Sequence, residues 1–531
     1  MRSQPPGSKG EYGTKREQES RGSHAENASR RVERCKTQFF TYCRRPSLHF
    51  KAKISYTSLT TQNVSYSRSA ERSHQSPFHA PLLRPPMLDL TKLAQQMQGI
   101  SQQLTLEATA TKQRLERAQT LLEQAHRHQD VLVEQQQTWR DRLSFTAAAP
   151  VEPLNLRVSI PVPPAAHTVL ATDGSQIAPS HHEIAYCYLI NVGRIVLHYG
   201  QNRLPLLDSL PEVFYRPEDL YVSRQWGIRT EEWMGYRRTV SEAIVLAELG
   251  EAVKDEGRGQ RDEIKAEKRE VKDQSERRTD QSITLSHRQA EASDRPYPSS
   301  FIPHPSVAMV DGSLIYWFLD SLPGEARDRI LPPILDAWEK LRAMRIPLVG
   351  YISASRSGEA LNFLRLQACP YDTPDCPTHC NGLGDREGFP LAHAPCQVLE
   401  PLKDAALWAM KLQPGQRSPL WRSSARILEL YGNHHVYFCY VHVGMEIARV
   451  EFPAWVAEDA NLLDKALSLT LAQVQKGYGY PVALAEAHNQ AVVRGGDRSR
   501  FFALLEQQMI RAGLKNVGTS YKEARKRGSI A

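Results

Sequence analysis

Apolar residues recur along this chain with two different periods, and the periods assign the elements. From Met87 to about Phe145 the spacing is helical. Leu93, Met97, Ile100 and Leu104 stand four, three and four residues apart, and Leu115, Ala118, Leu122 and Ala125 continue the stripe. Gln and Arg fill the other faces, the stripe is interrupted around Glu107 to Thr111, and proline is absent until Pro150. The pattern predicts a helical arm over 87–150, either a long helix or a helical hairpin. Such an arm serves for packing or dimerisation, or lies as a plain helix on the body.

After residue 150 short apolar runs alternate with amphipathic stretches. The run Thr168 to Thr172 reads as a strand ending at Asp173, after a Pro-containing linker over 158–163. Ile184 to Ile190 and Arg194 to Tyr199 read as two strands joined by a tight turn at Asn191-Val192-Gly193. Thr230 to Val253 reads as a helix with Trp233, Tyr236, Val240 and Ile244 on its apolar side. Val307 to Val310 is a strand too short for a helix, placing Asp311 at its C-terminal end, where open α/β sheets keep their chemistry. A helix over Leu331 to Arg345, a strand over Ile346 to Ser353 and a helix over Glu359 to Leu366 follow. Val436 to Val443 and Ile447 to Phe452 form a hairpin, and Ala460 to Lys476 and Pro481 to Val493 are helices. The expected class is α/β, with a mixed ribonuclease-H-like sheet flanked by helices.

Composition changes this picture at two places. Residues 1–86 hold 16 Lys/Arg against 6 Asp/Glu, whereas the whole chain of 531 residues carries +8. The remainder is therefore about −2, and the basic balance does not by itself make the body a nucleic-acid binder. The tail lacks a hydrophobic period and is expected to be disordered; it is either an artefact of start-site choice, with Met87 as the true start, or a genuine basic tail. Residues 254–298 carry 11 basic and 11 acidic side chains with scattered apolar ones, and are expected to be an inserted, solvated loop, helical in part at best. The body is then one domain over 151–531. No apolar run reaches the roughly 18 residues of a membrane helix, no signal-peptide layout opens the chain, and eight cysteines in this length are not a disulfide scaffold. A cytoplasmic, reduced setting is expected.

The chemistry is carried by a repeated element. Asp173-Gly174-Ser175 and Asp311-Gly312-Ser313 each follow an apolar run, so two carboxylates could meet at one divalent metal. Hard cations such as Mn²⁺ or Mg²⁺ prefer such oxygen ligands. The competing reading is two ordinary turns. Glu242 on its helix is either a third ligand or an i,i+4 partner of Arg238. His488 is a metal ligand, a general acid, a phosphate contact or a plain helix histidine. Tyr480 orients a phosphate, stacks on a base or packs in the core. Arg449 shares strand parity with Glu451, so it touches DNA or makes a local ion pair. The end of the chain is basic, with nine Lys/Arg against three acids over 491–531, a groove lining or a solvated tail.

Taken in order, Asp173-Gly174-Ser175, Arg238 with Glu242, Val310-Asp311-Gly312-Ser313-Leu314, Ala448-Arg449-Val450-Glu451-Phe452-Pro453, Gly479-Tyr480-Pro481 with Ala487-His488, Asp497-Arg498 and Ser520-x-Lys522 with Lys526-Arg527 resemble the NurA family of DNA-repair nucleases. The resemblance spans roughly residues 165 to 530, with the charged insertion falling between two motifs. It implies a manganese-dependent (or magnesium-dependent) deoxyribonuclease that trims single-stranded and duplex DNA ends at double-strand breaks. It also implies a homodimer and a HerA-type hexameric ATP-driven translocase as partner. Asp173, Asp311 and, less directly because Glu248 is near, Glu242 carry over as catalytic metal ligands, with Tyr480 and His488 from the C-terminal motif. Arg449, Arg498, Lys522 and Lys526 are the candidate DNA contacts. A non-catalytic DNA clamp or translocase adaptor, and a ribonuclease acting on RNA or hybrids, are the alternative readings.

A second constellation lies outside that resemblance. Cys369, Cys376, Cys380 and Cys396, with His379 and His393 interleaved, place four of the eight cysteines in a short loop rich in Pro and Gly. Clustered thiolates in such a loop suit Zn²⁺ or an iron–sulfur cluster. The spacing is neither a plain CxxC pair nor a ferredoxin run, and unligated cysteines are the competing reading.

Overall fold

A computed structural model describes residues 89–179, 185–279, 306–381 and 394–513, without the side chains of Gln98 and 256–279. Helices α1 (Leu90–Arg127) and α2 (Gln129–Trp139) come first, then the two-residue strands β1 (Ala149–Pro150) and β2 (Val158–Ser159). β3 (His167–Ile177), β4 (Tyr188–Tyr199) and β5 (Leu206–Phe214) form an antiparallel meander. Helix α3 (Thr230–Thr279) leads to β6 (Ser306–Asp311), α4 (Leu331–Ala343), β7 (Leu348–Ile352) and α5 (Glu359–Gln367). The chain closes with α6 (Asp404–Ala409), β8 (Gln416–Arg417), β9 (Trp421–Arg422), the hairpin β10 (Val436–His442) and β11 (Ile447–Pro453), then α7 (Ala460–Lys476), α8 (Val482–Ala491) and α9 (Gly495–Arg511).

The strands make one mixed sheet in the order β1-β9-β10-β11-β7-β6-β3-β4-β5, with β2 and β8 paired beside it. β6 and β7 run parallel to β3, and β11 returns antiparallel. The sheet is hydrophobic on both faces because both are covered. On one face Val169, Ala171, Met309, Val349 and Val450 pack beneath α7 and α8. On the other, Leu170, Ala308 and Leu348 pack against α3 and α4 through Leu246, Ile334 and Trp338. A third cluster joins α1 to α5 and α6 around Trp408 and Trp421.

Several elements depart from the sequence reading. Asp-Gly-Ser at 173–175 is not a turn after a strand, because β3 runs through it to Ile177. Asn191-Val192-Gly193 is not a turn either. It lies in the middle of β4, and the glycine serves helix packing. A Cβ there would collide with the Ala487 carbonyl oxygen and stand 2.7 Å from the Ala491 nitrogen. Helix backbone cannot yield as a side chain does, so Gly193→Ala is expected to cost about 1–3 kcal/mol. An unchanged unfolding midpoint in that variant would refute the close approach.

The helix beginning at Thr230 does not stop at Val253 but continues to Thr279, so that much of the expected insertion is helical backbone. Alternating charges support a solvated helix through i,i+4 pairs without a core. The rest of 254–298 lies outside the described residues, as does Ile184. The arm is helical from Leu90, capped by Asp89, whose carboxylate accepts from the Thr91 and Lys92 amides at 3.1 Å. Its stripe divides in two. Ala118, Leu122 and Ala125 are buried, whereas Leu93, Met97, Ile100 and Leu104 are between 40% and 63% exposed. Among the described residues no helix is long and apolar enough to cross a membrane.

Candidate active site

Parallel pairing of β3 with β6 puts Thr172 opposite Val310. The next residue on each strand is an aspartate, so Asp173 and Asp311 stand side by side, about 4.8 Å apart by strand spacing. They belong to the C-terminal half of the two central parallel strands, and Asp311 is exposed. Burial pushes the Asp311 carboxyl up, and the Asp173 charge adds to that, while a hydrogen bond from Tyr480 and the nearby His488 work the other way.

The third acid arrives from the opposite face. Glu242 sits on α3, and its carboxylate is seated against the strand where Gly174 has no side chain. A Cβ on Gly174 would overlap Glu242 Oε1 and lie 2.6 Å from Arg238 Cγ. Glycine here is a gap for an acid, not a turn former. Arg238 Nε holds Glu242 Oε1 at 3.2 Å, so the local ion pair and the site ligand are the same residue. Burial raises the Glu242 carboxyl to about 7; Arg238 opposes the rise, while Asp173 and Asp311 reinforce it. These mutual effects tie three carboxylates into one cluster. The neighbouring Glu248 acts on Arg194.

Helix α8 supplies the remaining groups. Its last carbonyl, at Ala491, accepts from Ser175 and from Asn191 Nδ2, the latter at 2.8 Å. This docking sets His488 one turn back, with Nδ1 2.8 Å from Asp173 Oδ2 and the ring largely exposed. The preceding turn brings Tyr480 against Tyr351, ring centroids 5.7 Å apart, and its hydroxyl donates to Asp311. Burial and then the Asp311 charge hold that phenol above its ordinary range. Each acid therefore has its own partner: Asp173 has His488, Asp311 has Tyr480 and Glu242 has Arg238.

Behind Asp311 lies a contact that sequence reasoning missed. Glu451 Oε2 accepts from Ser313 Oγ at 2.9 Å and from the Leu314 amide at 2.7 Å, fixing the turn that follows the aspartate. The third residue of each Asp-Gly-Ser element thus anchors the structure around it. Arg449 corrects an expectation: it is not placed to contact DNA. Its side chain is buried, with Nε on Glu451 Oε1 at 2.7 Å, Nη2 on Glu359 Oε1 at 2.9 Å and Nη1 on Ser357 Oγ at 2.9 Å. The guanidinium also covers the Phe438 ring at 3.6 Å, which leaves no face for a phosphate. Arg498 lies on α9 with its guanidinium 5.4 Å from the Phe502 ring centroid. Lys522, Lys526 and His393 lie outside the described residues.

The four loop cysteines gather at one place. Cys369, Cys376, Cys380 and Cys396 line a single small cavity, all as free thiols. Burial and then the neighbouring thiols raise Cys380, and Cys369 shifts the same way. Among the described residues no three His, Cys, Asp or Glu side chains stand at coordinating spacing.

The NurA domain model matches residues 167–293 and 302–493. No curated protein matches the chain. Among solved structures, the NurA nuclease from Sulfolobus solfataricus is similar at 12% identity and a TM-score of 0.38, over 79% of this chain and 98% of that one. That likeness is too remote to argue from. The family match is not, because it takes in both Asp-Gly-Ser elements, Glu242, Tyr480 and His488 across well over half of the sequence. The chain belongs to the NurA family.

Proposed function

We propose that this chain is a metal-dependent deoxyribonuclease that trims DNA ends during double-strand break repair. One observation carries the reading: Asp173 and Asp311 stand on neighbouring strands, both act electrostatically on Glu242, and each acid is tethered by one partner, His488, Tyr480 or Arg238. The strand order β5-β4-β3-β6-β7, a meander followed by two strands parallel to its first, supports a ribonuclease-H-like core. Family membership supports nuclease chemistry, and it alone supports a HerA-type translocase partner. The exposed stripe of Leu93, Met97, Ile100 and Leu104 on α1 supports self-association with a second copy.

The donor chemistry suits a hard divalent cation, Mn²⁺ or Mg²⁺, although the three acids, like the cysteines, stand short of coordinating spacing. Carboxylate oxygens are the ligands such ions prefer, and Glu242, raised to about 7 by burial and then by the Asp173 and Asp311 charges, is a group that a bound cation would hold ionised. Asp173, Asp311 and Glu242 would hold it. When bound, such ions neutralise charge on the attacking and leaving oxygens of a phosphodiester. The chain's own groups do the rest. Asp173 accepts from His488 Nδ1, so Nε2 faces solvent, and only as the doubly protonated imidazolium does it carry a proton to give the leaving oxygen. Tyr480 keeps Asp311 from swinging away, and Arg238 does the same for Glu242. Ser313 and Leu314, pinned by Glu451, keep the backbone after Asp311 from drifting.

Labelled single- and double-stranded DNA, incubated with Mn²⁺, with Mg²⁺ and with chelator, tests the reading. Cleavage with Mn²⁺ and none with chelator is expected. No cleavage with any divalent ion would favour a clamp or adaptor, and preferential cleavage of RNA would favour a ribonuclease. The same assay has a pH signature. Below about pH 7 Glu242 keeps its proton in the metal-free protein, so an incoming cation must displace it. Apparent Mn²⁺ affinity is therefore expected to rise with pH up to about 7 and to level off above. Glu242→Gln should flatten that dependence and weaken binding throughout. A wild-type affinity flat from pH 5.5 to 8 would exclude Glu242 as a ligand.

A further inference from the structure

Outside the acidic centre, a cluster of four cysteines stands together among the described residues, and nothing in the nuclease reading uses it. Its four members come from different local structures. Cys369 follows α5, its amide donating to the Leu366 carbonyl at 3.2 Å. Cys376 opens a one-turn helix, Cys376–His379, and Cys380 closes it, with the Cys380 amide 2.8 Å from the Cys376 carbonyl. That four-residue separation sets both thiols on one side. Cys396 comes in from the returning chain and is 4% exposed.

All four line a cavity of about 10 Å³, the room of roughly one water-sized sphere. Much of the remaining wall is Phe145, Leu366, Pro370, Pro374 and Pro395, which gives a water few of the polar partners it needs. Arg365 adds a charge of the right sign. It is 6% exposed, its Nη2 lies 3.5 Å from Cys396 Sγ, and its Nε is buried without a partner. A buried guanidinium beside sulfur favours thiolate over thiol.

The loop is also braced for a fixed geometry. Arg142 grips the two oxygens of Asp375 at 2.8 and 2.6 Å, and Asp375 in turn accepts from the Thr378 amide at 3.2 Å, capping the one-turn helix. Tyr371 stacks on His379 with ring centroids 4.3 Å apart, which occupies that imidazole as a packing element.

We propose that Cys369, Cys376, Cys380 and Cys396 bind one zinc ion as a closed, structural tetrathiolate site that fastens the 369–380 segment and Cys396 to α5. Soft sulfur donors select zinc over the Mn²⁺ or Mg²⁺ suited to the acids. Four protein ligands leave no open position, so the site is structural and not catalytic. A cavity sized for a single ion argues against an iron–sulfur cube. The thiols surround the cavity short of coordinating spacing; ligation draws them inward with loss of their protons. Arg365 then offsets part of the negative charge that four thiolates leave around a divalent ion.

The test uses the full chain, purified without chelator or added metal. Elemental analysis should find one zinc per chain, and absorption spectroscopy at the zinc edge should find four sulfurs at about 2.3 Å. Asp311→Asn, which alters only the acidic centre, should keep that zinc, whereas Cys376→Ser with Cys396→Ser should lose it. The measurement on wild-type protein decides the matter even where the cysteine variant does not fold. Absence of zinc, iron with acid-labile sulfide, or a zinc shell of nitrogen and oxygen would each overturn the proposal. None of these outcomes bears on DNA cleavage, so the two readings fail separately.

Discussion

Asp311→Asn is expected to reduce Mn²⁺-dependent DNA cleavage on the order of 10²–10³-fold or more, the scale of losing a preorganised charged group at a reacting phosphate. The folded protein should not suffer. A carboxyl whose folded value is raised, as Asp311's is by burial and by Asp173, is destabilising when ionised. The sign follows: folding is opposed above the ordinary aspartate range, and an amide that cannot ionise removes the opposition. At neutral pH the variant should therefore unfold at or slightly above the wild-type temperature while losing cleavage. Tyr480 still has an oxygen to donate to, so the neighbouring turn stays in place. Cleavage retained within a few-fold would remove Asp311 from the chemistry. Loss of cleavage together with loss of folding would show that the residue is structural.

Arg449→Met is expected to have the largest effect on stability. Glu359 and Glu451, each under a tenth exposed, lose their shared cation and remain buried. Removing one partner from a buried ionic group typically costs about 3–5 kcal/mol, because the charge left behind has no solvent. Activity should fall with it, since Glu451 also holds Ser313 and Leu314 behind Asp311. Adding Glu359→Gln and Glu451→Gln to the same chain should recover much of the stability. Those amides are neutral and can still bond Ser423 and Ser313. Chemical denaturation of the single and triple variants checks this; a single variant as stable as wild type would mean that the three groups are not an energetic unit.

These residues also show which parts of the molecule were legible in the sequence. The strand into Asp311 was readable because four consecutive apolar residues bounded by polar ones leave little else. The β10–β11 hairpin and α7 were readable from period alone. Glycine was ambiguous: the same residue type marks a turn, a helix resting on a strand at Gly193 and an aperture for Glu242 at Gly174, and only the folded neighbours distinguish them. β5 was missed because it is an edge strand with Leu206, Leu207, Leu210 and Val213 all partly exposed, so no alternation betrays it. Arg449 and Glu451 were paired correctly from strand parity, but parity does not say which face is buried. The length of α3 was hidden for another reason. Charge composition argues against a core, and a solvated helix needs none.

The assembly of the acidic centre has a consequence for when the centre can form. Asp173 is synthesised early, Asp311 only after β4, β5 and α3, and Tyr480 and His488 near the end of the described chain. Because β3 must find β6 across that distance and α8 must then dock on both β3 and β4, no growing stretch on the ribosome holds a working set of groups. A half-made copy lacks the assembled centre.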